Sequence, residues 1–577
     1  MPTSPSQPAS RFARYLSASP LREPRFRVFY AGSVGTALGY TMQAAMAAWV
    51  MATLTPSALM VAMVQSASTV PFLLFGLIAG SLADIMDRRR VIIATQLVML
   101  SATGALAVIE MTGLVGPSLV LLLTFACGAG FTFYLPAQQA SVNDLVARED
   151  LPQAIALGAV AFNVARAVGP AVAGAVAAWT GSGSALLMSS LFFVPMMFGV
   201  RSVRVTERSL PGVPEKLWAG VQSGVRYARH SPAMRSLVVL NLTFTLCASA
   251  LWALLPVIAR DQLGLGPGGY GLLFGTFGAG AVVSAVTIPG QLKRRGLQKV
   301  VRASIILWIV ATLVVAATGF AVVALAGAFL AGGAWVGVLS SLAAGTQSTA
   351  PAWVRARAVS INLLAMQTGL AVGSVIWGML ASALEVRAAT ALSAALMLLL
   401  QLLSQRVRVQ LGSEADVTPF ARLPELVVSA EPRPNDGPVL VQVEYRIDPD
   451  KRAAFLQAIQ AVEATRRRNG ATSWRVFRDI EESDRFIERY VIASWAEYVR
   501  LRMRMTVADR MLQNRVVELQ RKDVPTRISR YIGIDPHERA REAAAGSPPG
   551  TAAGSPPGAA TGSPLGAATG SAPGEAR

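Results

Sequence analysis

The chain has 577 residues, of which 53% are hydrophobic and only 15% charged, with a mean hydropathy of +0.47 and a formal net charge of +19. Soluble domains carry roughly 25% charged residues, so this composition excludes a protein that is water-soluble throughout. The basic excess is dispersed among loops between apolar runs, a pattern that speaks against a nucleic-acid surface.

Taken in order, the chain opens with a basic arm, residues 1–25, with Arg11, Arg14, Arg22, Arg25 and, just beyond, Arg27 ahead of the first apolar run. That run is longer than the h-region of a cleaved signal, about 7–15 residues. A membrane helix needs about 20 mostly apolar residues. Stretches near 28–54, 58–83, 91–113, 115–136, 155–179, 183–203, 234–259, 268–290, 300–319, 321–347, 358–384 and 387–404 meet that requirement, which predicts about twelve spans. Arg88, Arg89 and Arg90 follow the second, a basic loop (206–233) follows the sixth, Lys293, Arg294 and Arg295 follow the eighth, and Arg355 and Arg357 follow the tenth. The loops near 55, 180 and 319 carry no charge. The positive-inside rule then places both termini in the cytoplasm, and the expected setting is a bacterial cytoplasmic membrane.

Two basic clusters share a form. GSLADIMDRRR (80–90) closes the second span and GQLKRRGLQKV (290–300) the eighth; Pro136 after the fourth span and Pro351 after the tenth are separated by nearly the same offset. A recurring offset predicts two six-helix repeats, 26–205 and 234–405, an arrangement typical of transporters.

GSLADIMDRRR resembles the loop motif between helices two and three of the major facilitator superfamily, with Gly80, Leu82, Ala83, Asp84, Arg88 and Arg89 in register. Ile85 and Asp87 depart from it, standing where the family has a basic residue and a glycine. LPAQQASVNDLVAREDLPQAIALGAVAFNVARAVGPAVAG is similar to the branch that holds the enterobactin exporter and the transmembrane secretion effectors, and the likeness covers roughly 25–405. Its VARAVGPAVAG segment also resembles the fifth-helix signature of drug antiporters, with Gly169, Pro170 and Gly174 in place. The resemblance implies a secondary carrier that exports a small amphipathic solute, siderophore- or drug-like, by alternating access with a proton as coupling ion. It also implies a gating latch in which Gly80 lets two helices approach closely, Asp84 faces the N-terminus of the eleventh helix, and Arg88 and Arg89 hold the loop.

Polar residues inside spans are candidates for the substrate cavity, to which the family's helices one, four, seven and ten contribute most: Tyr40, Gln43, Tyr134, Asn241, Trp252 and Trp335, with Gln367 on the eleventh helix. Each also reads as a helix-packing hydrogen bond. Arg166 is the one charge well inside a span, roughly 22 Å along its helix from Leu151, and Asn163 and Pro170 are placed on its face. An isolated charge there costs on the order of 3 kcal/mol. Two readings stay open for it, a structural ion pair with Asp84 or Asp144 and a countercharge for an anionic substrate. Glu110, near the end of the third span, reads as an interfacial carboxylate.

No G-x-x-x-x-G-K-[ST] occurs, so no ATP-binding loop of that kind is expected. Cys127 and Cys247 fall inside spans and form no metal or disulfide framework. No metal or cofactor is expected.

Beyond a polar linker, 406–437, strand and helix patterns alternate as βαββαβ over 438–533, which predicts a cytoplasmic ferredoxin-like unit. SWAEY and TVADR resemble the antibiotic-biosynthesis-monooxygenase type of α/β barrel, which implies dimerisation. Trp474, Trp495, Tyr498 and Arg500 are its notable polar and aromatic residues. With neither histidine in its strands or helices, side-chain acid–base catalysis has little to work with, so a structural, dimerising or ligand-sensing role is preferred over an enzyme. The tail, 534–577, contains four GSPPGTAA-like copies and is predicted to be disordered. The fold expected is an all-α polytopic membrane protein with an α+β domain at its C-terminal end. The competing expectation is a membrane-tethered ligand-binding or monooxygenase-like domain, for which the helices are an anchor or delivery module.

Overall fold

In the computed structural model, residues 20–147, 149–202, 217–404, 418, 420 and 432–534 are described. The expectations for the arm before residue 20, for most of the linker and for the disordered tail lie outside them, as does the Asp84 side chain.

Fourteen helices precede the C-terminal domain among the described residues: α1 (Pro24–Leu54), α2 (Ala58–Ile85), α3 (Arg88–Met111), α4 (Pro117–Leu145), α5 (Leu151–Thr180), α6 (Ser182–Leu191), α7 (Val194–Gly199), α8 (Leu217–His230), α9 (Pro232–Val257), α10 (Pro267–Arg295), α11 (Leu297–Ala317), α12 (Ala321–Thr349), α13 (Arg355–Leu384) and α14 (Val386–Ser404). Their starts are written in the sequence. Ser57, Asp87 and Ser231 accept from the backbone N–H groups of Met60, Arg89 and Met234, and Pro24, Pro117, Pro232 and Pro267 stand in first turns where an N–H has no partner to lose.

Among the described residues, eleven spans are long and apolar enough to cross a membrane, α6 and α7 counting as one. The predicted first span is the exception among the twelve. α1 has 31 residues, but Thr36, Tyr40, Thr41 and Gln43 dilute its apolar character. The predicted sixth span is broken at Phe192–Phe193, where Pro195 can neither donate nor tolerate the carbonyl four residues back.

Helices α1–α7 pack mainly on one another, as do α9–α14, and the two groups meet along α2 with α13 and α5 with α10. Small residues make these seams close. A Cβ on Gly174 would stand 2.6 Å from the Pro267 carbonyl oxygen and 2.7 Å from the Gly271 Cα; one on Gly378 would stand 2.7 Å from the Ala62 Cβ. The Ser66 hydroxyl donates to the Ala371 carbonyl at 2.8 Å, and the Leu59 N–H to the Ser382 hydroxyl at 3.0 Å. All these contacts lie between mid-depth and the end of the bundle that carries the charge-free loops, where Arg260, Asp261, Glu385 and Arg387 are the exceptions. Toward the basic end, Gly80, Gly158 and Gly290 on the same helices have nothing within 4 Å of where a Cβ would stand. Close glycine contacts thus join the two helix groups toward the charge-free end, whereas the space beside Gly80, Gly158 and Gly290 toward the basic end is open. Gly80 makes no close helix approach in this conformation, contrary to expectation: nothing stands within 4 Å of where its Cβ would be.

The segment 206–233, expected as a loop, contains α8. Tyr227 on α8 is 2% exposed and donates to the Thr349 carbonyl at 3.1 Å, while the Arg357 guanidinium donates to the Ser223 hydroxyl at 2.6 Å. α8 is thereby fixed to the turn between α12 and α13.

The C-terminal domain comprises β1 (Val439–Arg446), α15 (Arg452–Asn469), β2 (Ala471–Arg478), β3 (Arg485–Ile492), α16 (Trp495–Met503), α17 (Val507–Glu518) and β4 (Arg527–Ile532). The strands form one antiparallel sheet in the order β2-β3-β1-β4. The second helix, expected to be continuous, divides because Thr506 and Asp509 close a capping box that starts α17 afresh. Alternate β1 residues Val439, Val441, Val443 and Tyr445 point into a core with Phe455, Ile459 and Tyr490.

Candidate functional site

At mid-depth, between the two helix groups, lies a cavity of about 240 Å³. α2 offers it a stripe, Gln65, Ser68, Thr69 and Phe72, at the i, i+3, i+4, i+7 spacing of one helix face. α5 offers Phe162, Arg166 and Pro170, one turn apart. Tyr40, Phe131, Trp252, Tyr270, Phe274 and Trp335 supply most of the remaining aromatic wall, and Gln367 adds an amide from α13.

Arg166 is the one charged residue among those lining residues. Its guanidinium carbon lies 5.3 Å from the Trp252 ring centroid, 5.7 Å from that of Trp335 and 6.0 Å from that of Phe162, within the range of cation–π attraction. No carboxylate pairs with it among the described residues. Asp144, one partner foreseen for it, accepts instead from Arg88 at 2.5 Å. The rings are themselves braced: Trp252 meets Trp335 edge to face at 5.3 Å, and Tyr40 stacks on Phe131 at 4.0 Å. The Trp252 indole N–H is buried and finds no acceptor among the described residues.

At the charge-free end of the cavity, Trp49 and Tyr270 stack at 5.4 Å across the two helix groups. Both are nearly inaccessible, at 5% and 1% exposure, so this pair forms the floor of the closed end.

Of the residues expected to line the cavity, Tyr40, Arg166, Trp252, Trp335 and Gln367 do so, with Pro170 from the fifth-helix motif. The others do not. Gln43 donates to Thr124 at 3.4 Å and Asn241 to Asn362 at 2.9 Å, both buried in helix packing. Tyr134 is 3% exposed in the core of the first helix group. Asn163 turns away, its amide donating to the Ala159 carbonyl on its own helix at 2.8 Å. Gly169 and Gly174 lie at helix contacts, against Thr41 and Gly271. Phe131, Phe162, Tyr270 and Phe274 went unforeseen, although Phe162 at four residues before Arg166 carried a spacing signal.

In the latch motif, Arg88 also donates to the Ala140 carbonyl at 3.1 Å, so it ties α3 to α4 within one helix group. Asp87 replaces the family's glycine and serves as the N-cap of α3. Glu110 accepts from the Ser182 hydroxyl, joining α3 to α6.

In the C-terminal domain, Trp474 donates to the buried Glu488 at 3.0 Å, as do Arg466 at 2.9 Å and Tyr445 at 3.0 Å. Burial pushes the Glu488 carboxyl up, but Arg466 and these hydrogen bonds outweigh it and hold the group below its usual range. Trp495 packs on Tyr498, which accepts from Arg530 at 2.5 Å, and Arg500 lies 3.5 Å from Glu497. This is a satisfied structural network. Among the described residues, no group of three or more His, Cys, Asp or Glu side chains could hold a metal.

A family profile described as transmembrane secretion effector matches residues 16–538. The multidrug efflux pump Tap of Mycolicibacterium fortuitum is 27% identical over 227 residues, which cover 38% of this chain and 55% of Tap. Macrolide efflux protein A of Streptococcus pyogenes is 22% identical over 209 residues, 36% of this chain and 52% of the relative. The chain thus spans about half the length of these curated relatives. Among solved structures, a mutant of the nucleoside transporter NupG superposes with a TM-score of 0.55 at 12% identity, covering 66% of this chain and 99% of NupG. A bacterial homolog of the human lysosomal transporter Spinster gives 0.55 at 14% identity, covering 66% and 97%. At these identities the likeness is one of fold.

Proposed function

Because the chain belongs to the transmembrane secretion effector family of major facilitator transporters, we propose that it exports a small amphipathic solute through the central cavity by alternating access. The observation that carries this reading is the asymmetry of the bundle around the cavity, closely joined toward one end by Gly174, Gly271 and the Trp49–Tyr270 stack, and open beside Gly80 and Gly290 toward the other. Basic loops face the cytoplasm, so this conformation is open inward and ready to load. Export requires the basic ends of α2 and α13, and of α5 and α10, to close while the glycine seams open. The largely aromatic wall suits an amphipathic solute, since flat apolar groups pack there with little need for polar partners. Efflux by Tap and by macrolide efflux protein A, as their names state it, supports the direction.

A second reading assigns the activity to the C-terminal domain, with the helices as an anchor. Its buried Glu488 is already paired with Tyr445, Arg466 and Trp474, which favours a structural role. Deletion of residues 438–577 separates the two. Solute accumulation in inverted membrane vesicles is expected to persist in the truncated protein; its complete loss from a correctly inserted protein would favour the second reading.

A further inference from the structure

We infer that the cavity selects amphipathic aromatic anions, a flat ring system bearing a carboxylate or sulfonate, and discriminates against cations of the same shape. This inference rests on the carrier reading above and assigns its substrate class.

Two features converge. Arg166 brings a full positive charge to the cavity wall, and its surroundings are Phe162, Trp252 and Trp335, ring faces that orient a guanidinium without neutralising it. Second, among the described residues none that lines the cavity is an aspartate or glutamate. Two acids that precede α5 are engaged elsewhere, Asp144 with Arg88 and Asp150 with Arg22. A cation entering here would meet repulsion with no compensating carboxylate. An anionic group of the solute would be held by Arg166. The ring body of the solute would then lie on the aromatic wall formed by the Tyr40–Phe131 stack.

A guanidinium is a planar fork that matches a carboxylate through two parallel hydrogen bonds, whereas an ammonium is a point charge. Arginine at this position therefore argues for recognition of a two-oxygen group and not for charge balance alone.

The test uses the purified full-length chain and two probes with one ring system and opposite charge, naphthoate and naphthylmethylammonium. Equilibrium binding is measured in detergent by calorimetry, and transport separately after reconstitution. Naphthoate is expected to bind at least tenfold more tightly than the cation. Arg166→Gln should lower naphthoate affinity at least tenfold and abolish the preference, and Arg166→Lys should restore only part of it. Equal or tighter binding of the cation to the wild-type chain, binding of neither probe, or unchanged naphthoate affinity in Arg166→Gln would each overturn the assignment. The wild-type comparison decides even if the glutamine variant does not fold. Binding of naphthoate without movement of any solute by the reconstituted protein would instead refute the carrier reading and leave the charge class standing.

Discussion

Arg166 and Asp87 show how differently two charged residues can be read from sequence. Arg166 was visible as a charge too deep in a span to reach water, a placement that is rarely structural filler. What could not be read was its partner: both candidate acids were plausible by position, and only the fold shows Asp144 committed to Arg88. Its helix face was only half legible. Phe162, Arg166 and Pro170 form one row at four-residue spacing, whereas Asn163, three residues back, falls past the cavity edge and bonds to its own backbone. Asp87 looked like a defect in a family motif. In the fold its side chain accepts from the Arg89 N–H at 2.9 Å and starts α3. Replacing a capping aspartate by alanine costs about 1 kcal/mol, and by glycine only a few tenths. Asp87→Ala is therefore expected to lower the melting temperature measurably and Asp87→Gly to lower it less. Equal stability of all three proteins would show that the cap contributes nothing.

Among the elements, the glycine seam between α5 and α10 sets which end of the bundle is closed. With the Pro267 carbonyl 2.6 Å from where a Gly174 Cβ would stand, even a methyl group forces the helices apart. Overpacking of this kind costs about 1–3 kcal/mol, enough to shift a two-state equilibrium by roughly five- to 150-fold. Gly174→Ala is expected to populate the conformation open at the charge-free end. Faster labelling of a cysteine placed at Trp49 by an impermeant maleimide would report this, and unchanged labelling would contradict it. Eleven of the twelve predicted spans, among the described residues, and the strand–helix order of the C-terminal domain were legible because hydropathy and periodicity are local properties. The break at Phe192–Phe193, the helix α8 and the break before Thr506 were missed, although Pro195 and the Thr506–Asp509 spacing were signals in plain view.

Across the whole molecule, the C-terminal domain is seated on the basic end of the bundle. Arg504 lies 4.4 Å over the Trp353 ring at the turn before α13, α15 packs on α8, and α8 is in turn bonded to that turn through Tyr227. Burial in this seam pushes the Arg226 guanidinium down, against the opposing effect of Glu497. The seam couples the domain to α13, a helix that the proposed alternating access would move. A desolvated cation–π contact is worth about 0.5–2 kcal/mol. Trp353→Ala is expected to loosen the domain, which faster protease release of the C-terminal fragment would register; an unchanged cleavage rate would show that the contact does not hold it. Nothing in the sequence pointed to this seam, because Trp353 and Arg504 are distant along the chain and unremarkable within their own segments.

The central claim is that the two ends of the bundle open alternately around one cavity. Cys127 and Cys247 are both buried, so introduced cysteines can be spin-labelled selectively. Pulsed electron paramagnetic resonance would measure one label pair across the charge-free end, at Trp179 and Asp261, and another across the basic end, at Arg90 and Arg294, with and without naphthoate in reconstituted protein. The account predicts reciprocal shifts, the first distance lengthening in the same population in which the second shortens. Distances that stay fixed at both ends, or that lengthen and shorten together, would contradict it.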